Sequence, residues 1–328
     1  MRYVNLPGTD IRASSLGFGC ASLGSRVSKR DGLAALSRGF EAGVTWYDLA
    51  PIYGGGLAES IFSDFLKGKR DKVQVCTKVG IGRPRYDPLL RIAGAVIRPM
   101  VNRFGALHQG LRKVSKRQNF SVPLTPDLIE KSIAKSLKRM RTDYIDVFAL
   151  HDPSPEDVMR DEVVYALQSV IDRGQARYIS VAGDADAIRA AVRGNGPYQF
   201  LQFADSPDAS IIEEVQSCLI KPKAFVTHSI LGIGGAKDSI IRRLQSDDAL
   251  LERLRKAGYQ GAVQDVAVNL LMDRALASNP EGVVLSSMFS GRHLESNVSR
   301  VEYSALDDVK AFLSELFSLP PSHTLSVA

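Results

Sequence analysis

Short apolar segments recur along the chain at a steady spacing, and helix-like segments separate them. The apolar segments end near residues 19, 48, 78, 151, 182, 204, 228 and 286. Continuous apolar strands that alternate with helices favour parallel pairing within one sheet. Eight such units in a chain of 328 residues predict a (β/α)8 TIM barrel rather than an open sheet.

The same spacing indicates where extra chain has been inserted. The first two steps between strand ends are 29 and 30 residues, whereas the third is 73. Removing residues 81–124 restores an ordinary step, so we assign them as a basic helical insertion after strand 3, within a single barrel domain over residues 1–328. Apolar residues at helical steps, interrupted by Pro99, predict two helices in it. The long interval before residue 286 indicates a second insertion, roughly 232–258.

Charge is concentrated in the first insertion. Residues 81–124 carry nine Lys or Arg against one acid, Asp87, which leaves about −2 for the remainder of a chain of net charge +6. A nearly neutral body with one basic segment is not typical of a dedicated nucleic-acid binder. The first interpretation of the segment is an amphipathic lid or flank with solvated Arg and Lys. The second is that Arg83, Arg85 or Arg91 approaches an anionic substrate or the cofactor phosphates.

Hydropathy and cysteine content indicate the cellular compartment and whether a metal site is expected. No apolar run reaches about 18 residues, so no membrane span is expected, and the N-terminus lacks the apolar core of a signal peptide. The cysteines Cys20, Cys76 and Cys218 are far apart and odd in number. We therefore expect a cytoplasmic protein with reduced, buried thiols and no metal site.

Polar residues stand where several of the predicted strands end. Asp48, Lys78 and His151 each end a strand, and Tyr53 lies on the glycine-containing turn after Asp48. In a parallel barrel all strand carboxyl ends share one face, so these side chains are expected to meet there. Taken singly, each has a structural explanation as a cap, a packed ring, a solvated charge or a buried histidine. Together they predict a phenol made more acidic by a lysine that a carboxylate holds.

This set resembles the catalytic tetrad of the aldo-keto reductases. The resemblance includes Leu-Gly-Phe-Gly at 16–19, Tyr-Asp-x-Ala-x-x-Tyr-Gly at 47–54, Thr-Lys-Val at 77–79 and the segment 143–151 that ends in His151. It implies a barrel that binds an extended nicotinamide dinucleotide. It also implies that Tyr53 is the general acid/base, that Lys78 and Asp48 tune it, and that His151 positions the substrate.

The resemblance extends less completely to the cofactor site. Where the family usually has Ser-Asn after the fifth strand, this chain has Ala182-Gly183, so the carboxamide would be held by Asp184 or by backbone. A helix N-terminus beside Arg292 favours NADP, with NAD left open. The positions implied as cofactor-binding are Gly19, Cys20, Asp48, Gln202, Ser229, Leu231, Gly232, Ser287, Ser290, Arg292 and Asn297.

Two functions are compatible with these residues. The first is an oxidoreductase that transfers a hydride between NAD(P)H and a small carbonyl or alcohol, such as an aldehyde, a ketone or a sugar lactol. The segments 77–80 and 151–153 look similar to the sugar-dehydrogenase branch of the family and favour the last class. The second is a nicotinamide-binding regulatory or subunit protein with little turnover. The sequence leaves the substrate, its charge and the choice between a monomer and a small homo-oligomer open.

Overall fold

Eight parallel strands close into the barrel that the sequence predicts. The structure, a computed structural model, describes residues 1–82, 120–208, 210–232 and 235–303. Neighbouring strands follow the chain order, and the last strand pairs with the first to close the sheet. The barrel strands are β3 (Leu16–Gly19), β4 (Trp46–Asp48), β5 (Gln74–Val79), β8 (Ile145–His151), β9 (Ala176–Ala182), β10 (Tyr198–Ala204), β11 (Ala224–His228) and β12 (Val283–Ser286).

Helices occupy the connections between the strands, as the alternating pattern requires. The helices before β10 are α1 (Lys29–Glu41), α2 (Ala58–Leu66), α3 (Pro126–Met140), α4 (Pro155–Met159), α5 (Asp161–Asp172) and α6 (Ala185–Arg193). Those after it are α7 (Ile212–Ser217), α8 (Ala236–Ser246), α9 (Asp248–Lys256), α10 (Val263–Ser278) and α11 (Gly291–Tyr303). Single-turn 3₁₀ helices at Tyr53–Gly56 and Arg70–Lys72 complete the connections on either side of α2.

Helix starts agree with the capping residues in the sequence. The Ser28 hydroxyl accepts the backbone N–H of Asp31 at the start of α1, and Thr125 accepts that of Leu128 at the start of α3. Ser154 and Asp157 form a reciprocal capping box at α4. Each side chain satisfies a backbone donor that the first helical turn leaves without an internal partner. These capping residues therefore fix where α1, α3 and α4 begin.

A short hairpin at the N-terminus seals one end of the barrel. Strands β1 (Tyr3–Asn5) and β2 (Arg12–Ser14) pair antiparallel, and strands this short show no period in the sequence. Leu6, Ile11 and Ala13 of this hairpin pack into the apolar interior of the barrel. The hairpin thus occupies the amino ends of the strands and leaves their carboxyl ends as the open face.

The two predicted insertions fall within the described residues to different extents. Only the ends of the first lie within the described residues, where β6 (Ile81–Gly82) pairs antiparallel with β7 (Phe120–Ser121). The two helices predicted inside it lie outside the described residues. So do residues 305–317, whose sequence favours a closing helix. In the region of the second insertion, α8 and α9 pack with Tyr259 and α10 in a separate apolar cluster.

Candidate active site

A polar layer closes the barrel interior at the carboxyl ends of the strands. Side chains alternate along a strand, so an inward-facing residue predicts another two positions later. Residues of the apolar interior include Trp46, Cys76, Ala149, Phe200 and Val226. The inward residues two positions later are Asp48, Lys78, His151, Gln202 and His228, and all of them line one cavity of about 430 Å³. The strand-end residues that sequence reasoning chose are therefore brought together.

Asp48 and Lys78 form a buried ion pair on adjacent strands. The Lys78 ammonium donates to both Asp48 carboxylate oxygens at 2.5 and 2.6 Å, and to the Leu49 carbonyl oxygen at 3.1 Å. Gln202 donates from Nε2 to Asp48 Oδ2 at 3.1 Å. Burial alone would lower the pKa of Lys78, but Asp48, with smaller contributions from Tyr53 and Cys76, raises it overall. The ammonium therefore stays charged and fixed in position.

Tyr53 reaches this cavity from the turn that follows β4. The Lys78 Nζ lies 5.3 Å from the centre of the Tyr53 ring. Burial raises the pKa of Tyr53 to about 12, while Lys78 acts to lower it and Asp48 to raise it. The prediction of a net more acidic phenol is therefore wrong for this structure. Burial and the Asp48 carboxylate outweigh the lysine, so the hydroxyl keeps its proton at neutral pH.

His151 faces the Tyr53 ring from the end of β8. The two ring centres are 6.0 Å apart, and the planes are nearly perpendicular, at 89°. Burial, with smaller contributions from Lys78 and His228, lowers the pKa of His151 to about 3. The imidazole is therefore neutral in the physiological range, with one ring nitrogen that can donate and one that can accept.

The structure adds residues that sequence reasoning did not place in the site. The cavity is also lined by His228 and Asp152, and by Ser22 and Arg26 from the loop after β3. Burial lowers the pKa of His228 and raises that of Asp152. His228 ends β11 as His151 ends β8, so the strand-end criterion could have found it. Ser22 and Arg26 lie within a loop, where no periodicity indicates direction.

Only some of the cofactor-binding residues that the resemblance implies line the cavity. Gly19, Asp48, Gln202, Ser229 and Ser287 line the cavity. The Cys20 thiol is fully buried against the Phe18 carbonyl oxygen and does not reach the cavity wall.

The other implied positions lie outside the cavity wall. Leu231 and Gly232 are in the loop after β11, and Ser290, Arg292 and Asn297 are at or near the start of α11. Asn297 donates to the Ser286 hydroxyl at 2.9 Å, and Arg292 pairs with Asp265 at 2.9 Å. Asp184 accepts a hydrogen bond from the Ala187 backbone as the N-cap of α6, rather than facing the cavity.

The donor groups at the end of β12 fit a dinucleotide phosphate. Exposed Ser287 and Ser290 precede α11, and around the Cβ position of Gly291 no atom of the described residues lies within 4 Å. A helix N-terminus offers free backbone N–H groups and a positive dipole end. An anion can therefore approach this end of α11 closely, next to the cavity that holds Gln202 and Ser229.

The described residues include all three thiols and many of the side chains that could bind a metal. No cluster of three or more His, Cys, Asp or Glu side chains there is arranged to hold a metal ion. Cys20 and Cys76 are buried, but Cys218 is exposed, so the expectation of burial for all three thiols is wrong for Cys218. Within that same part of the chain, no helix has the length and apolar character needed to cross a bilayer.

Curated proteins that resemble the chain include two sugar dehydrogenases. D-threo-aldose 1-dehydrogenase from a Pseudomonas species is 32% identical over 194 residues, covering 55% of this chain and 53% of that protein. L-galactose dehydrogenase from Arabidopsis thaliana is 28% identical over 183 residues, covering 54% and 47%. The chain thus spans about half the length of these curated relatives.

The fold and the family profile agree with each other. An aldo-keto reductase from Klebsiella pneumoniae, solved in complex with NADPH, superposes with a TM-score of 0.66 at 19% identity, covering 98% of this chain and 96% of that one. The profile of the Aldo/keto reductase family matches residues 15–309, which include the whole barrel and its cavity. The chain belongs to the aldo/keto reductase family.

Proposed function

We propose that this protein is an oxidoreductase that transfers a hydride between NAD(P)H and a small carbonyl or alcohol in the cavity at the carboxyl ends of the strands. The observation that carries the proposal is the convergence of Tyr53, the buried Asp48–Lys78 pair and His151 on that cavity. Family membership over residues 15–309 supports the same reaction type.

Tyr53 is the proton donor in reduction. Its pKa of about 12 keeps the phenol protonated at neutral pH, so it can give its proton to a carbonyl oxygen as the carbon accepts a hydride. In alcohol oxidation the phenolate must take that proton, so this direction requires a higher pH. Lys78 stabilises the phenolate left after the proton has moved, because its charge is fixed beside the ring.

Asp48 and His151 are positioning residues around this proton transfer. Asp48 accepts from both Lys78 and Gln202, which fixes the lysine within the polar layer. His151 is neutral and edge-on to Tyr53, so its ring N–H can hold the substrate oxygen beside the phenol. Together these residues place an oxygen atom where it can exchange a proton with Tyr53.

The proposed cofactor is NADP, with NAD as the alternative. When bound, its nicotinamide ring supplies or accepts the hydride. Gln202 would hold the nicotinamide end, and Ser229 would belong to the loop over the pyrophosphate. Ser287, Ser290, Arg292 and Asn297 would lie at the adenosine-phosphate end near α11. Gly19 leaves room at the cavity wall, because a Cβ there would meet only the Ser286 carbonyl group, with its oxygen at 3.6 Å.

The substrate class that we propose is a small aldehyde, ketone or sugar lactol. The names of two relatives, D-threo-aldose 1-dehydrogenase and L-galactose dehydrogenase, support the sugar class. Exposed Asp152 can accept hydrogen bonds from the hydroxyl groups of such a ligand.

The test is a fluorescence titration with NADPH and NADH, followed by turnover assays on a panel of aldehydes, ketones and aldoses. We expect tighter binding of NADPH and measurable reduction of at least one carbonyl class, or oxidation of an aldose. Cofactor binding with no turnover across the panel would instead support a regulatory or subunit role. Failure to bind either dinucleotide would contradict the proposal.

A further inference from the structure

Most of the ionisable side chains in the cavity wall are neutral or paired. Asp48 neutralises Lys78 at 2.5 Å, and burial keeps His151 and His228 neutral by lowering the pKa of each. Among the described residues that line the cavity, this leaves the cation of Arg26 and the carboxylate of Asp152. No carboxylate of the described residues forms an ion pair with Arg26, so its charge is available to a ligand.

Arg26 is held in place by its own loop. One guanidinium nitrogen, Nη2, donates to the hydroxyl of buried Ser22 at 2.7 Å. Within the same loop, the backbone N–H of Val27 donates to the Ser22 carbonyl oxygen at 3.1 Å, and that of Gly24 donates to the Val27 carbonyl oxygen at 2.9 Å. The loop therefore presents the guanidinium with little freedom, while the remaining N–H groups stay available for an anion.

The Arg26 loop is packed directly on the turn that carries Tyr53. A Cβ on Gly54 would lie 1.8 Å from the Leu23 carbonyl oxygen, and Gly54 itself has a φ of +60°. Only glycine permits that approach. Leu23 is fully buried in the core beside these residues. The loop that carries Arg26 and the turn that carries Tyr53 are therefore fixed relative to each other, as the supports of a binding group and a reacting group must be.

We propose that Arg26 binds an anionic group on the substrate, a carboxylate, at the rim of the cavity and so selects carbonyl compounds that carry an acid group. This rests on the proposed function and names the substrate class for it. The planar guanidinium fork matches a carboxylate with two parallel hydrogen bonds, which a neutral amide cannot reproduce. The substrate carboxylate would lie on the Arg26 side and its carbonyl oxygen at Tyr53.

The experiment compares 4-carboxybenzaldehyde with its neutral isostere 4-formylbenzamide. For each, kcat/KM is measured with NADPH, and binding is measured by calorimetry to protein loaded with NADP⁺, where reduction cannot occur. We expect the wild-type protein to favour the acid by about 10- to 100-fold, the range for hydrogen bonds to charged groups. Arg26→Gln should lose that preference, because kcat/KM for the acid falls toward the value for the amide, while Arg26→Lys should retain part of it.

Arg30→Gln is the matched control. Arg30 is an exposed arginine four residues away that pairs with Asp31 and does not line the cavity, so the preference for the acid should persist in this variant. A wild-type protein without that preference, or a preference that survives Arg26→Gln, would overturn the proposal. So would an Arg26→Gln variant that loses NADPH affinity in place of acid selectivity, because Arg26 would then serve the cofactor phosphates.

The calorimetric binding measurement can fail or succeed independently of turnover, so it distinguishes this inference from the proposed function. A protein that binds the acid through Arg26 but never reduces it would contradict the reductase assignment and support the anion site. A protein that reduces both aldehydes equally, with binding unaffected by Arg26→Gln, would support the reductase assignment and remove the anion site.

Discussion

Two buried ion pairs in this protein each lie beside a tyrosine, yet they have different consequences. In the barrel, Lys78 pairs with Asp48 next to Tyr53. Between α10 and α11, Arg300 pairs with Asp273, and the Arg300 guanidinium carbon lies 4.8 Å from the centre of the Tyr259 ring. Both sets contain a carboxylate, a cation and a phenol, so composition alone does not distinguish them.

The difference lies in where the phenol proton is directed. The Tyr259 hydroxyl donates to Asp273 Oδ2 at 2.8 Å, and the residue is fully buried in the apolar cluster of α8, α9 and α10. In the barrel, both Asp48 oxygens accept from Lys78, and Tyr53 is only partly buried and faces the cavity. The Tyr259 hydroxyl proton is held in a hydrogen bond within the protein, whereas the Tyr53 hydroxyl proton is available to a ligand.

Removing the cation from each pair should give the largest separation between them. Either Lys78→Met or Arg300→Met leaves a buried carboxylate without its partner, so each should lower the free energy of unfolding by about 3–5 kcal/mol. Only Lys78→Met should also lower kcat, by about 10²- to 10⁴-fold. Denaturant unfolding measures the loss of stability. The loss of activity is measured as kcat, normalised to the concentration of protein that binds the cofactor. Equal kcat losses in both variants would contradict the distinction.

The strand ends of the site could be predicted because each ends an apolar run. Asp48 and His151 lie at the last residue of β4 and β8, and Lys78 one residue before the end of β5. Parallel closure then brings them together without any local signal. The hairpin of β1 and β2 was missed because each strand has only three residues, which is too short to show a period.

The electrostatics of the site could not be predicted in the same way. The sequence places a lysine near Tyr53 but does not show how deeply the phenol is buried, and burial determines the net direction of its pKa. Arg26 cannot be placed in the site from the sequence, because a hydrogen bond to Ser22 within the loop, rather than strand alternation, directs its side chain. The replacement of Ser-Asn by Ala182-Gly183 makes Asp184 a candidate for the carboxamide, but in the structure Asp184 caps α6.

The pH dependence should show that the Tyr53 proton is available. Carbonyl reduction should be nearly flat from pH 6 to 9, because the phenol stays protonated below its pKa of about 12 and His151 stays neutral above its pKa of about 3. Alcohol oxidation needs the phenolate and should rise by up to about tenfold per pH unit. Steady-state kcat/KM profiles in both directions measure this. An inflection near pH 6.5 in reduction would indicate that His151 titrates there instead.

An exposed ion pair gives a smaller effect that sharpens the contrast with the buried pairs. Arg292 pairs with Asp265 in solvent at the start of α11, so Arg292→Ala should change the free energy of unfolding by less than about 1 kcal/mol. If Arg292 contributes to the phosphate end of the site, the Kd for NADPH should rise several-fold while that for NADH stays constant. Asp265→Asn should have the opposite effect on NADPH binding. Equal changes for both dinucleotides would remove Arg292 from the 2′-phosphate site.

The most direct measurement compares kcat at saturating cofactor for Tyr53→Phe and Tyr259→Phe. Each substitution removes one hydroxyl and leaves the ring in place. Tyr53→Phe should lower kcat by at least about 10²-fold with the Kd for NADPH unchanged. Tyr259→Phe should keep kcat and lower the free energy of unfolding by about 1–3 kcal/mol. A Tyr53→Phe protein that turns over at the wild-type rate would contradict the assignment of Tyr53 as the proton donor.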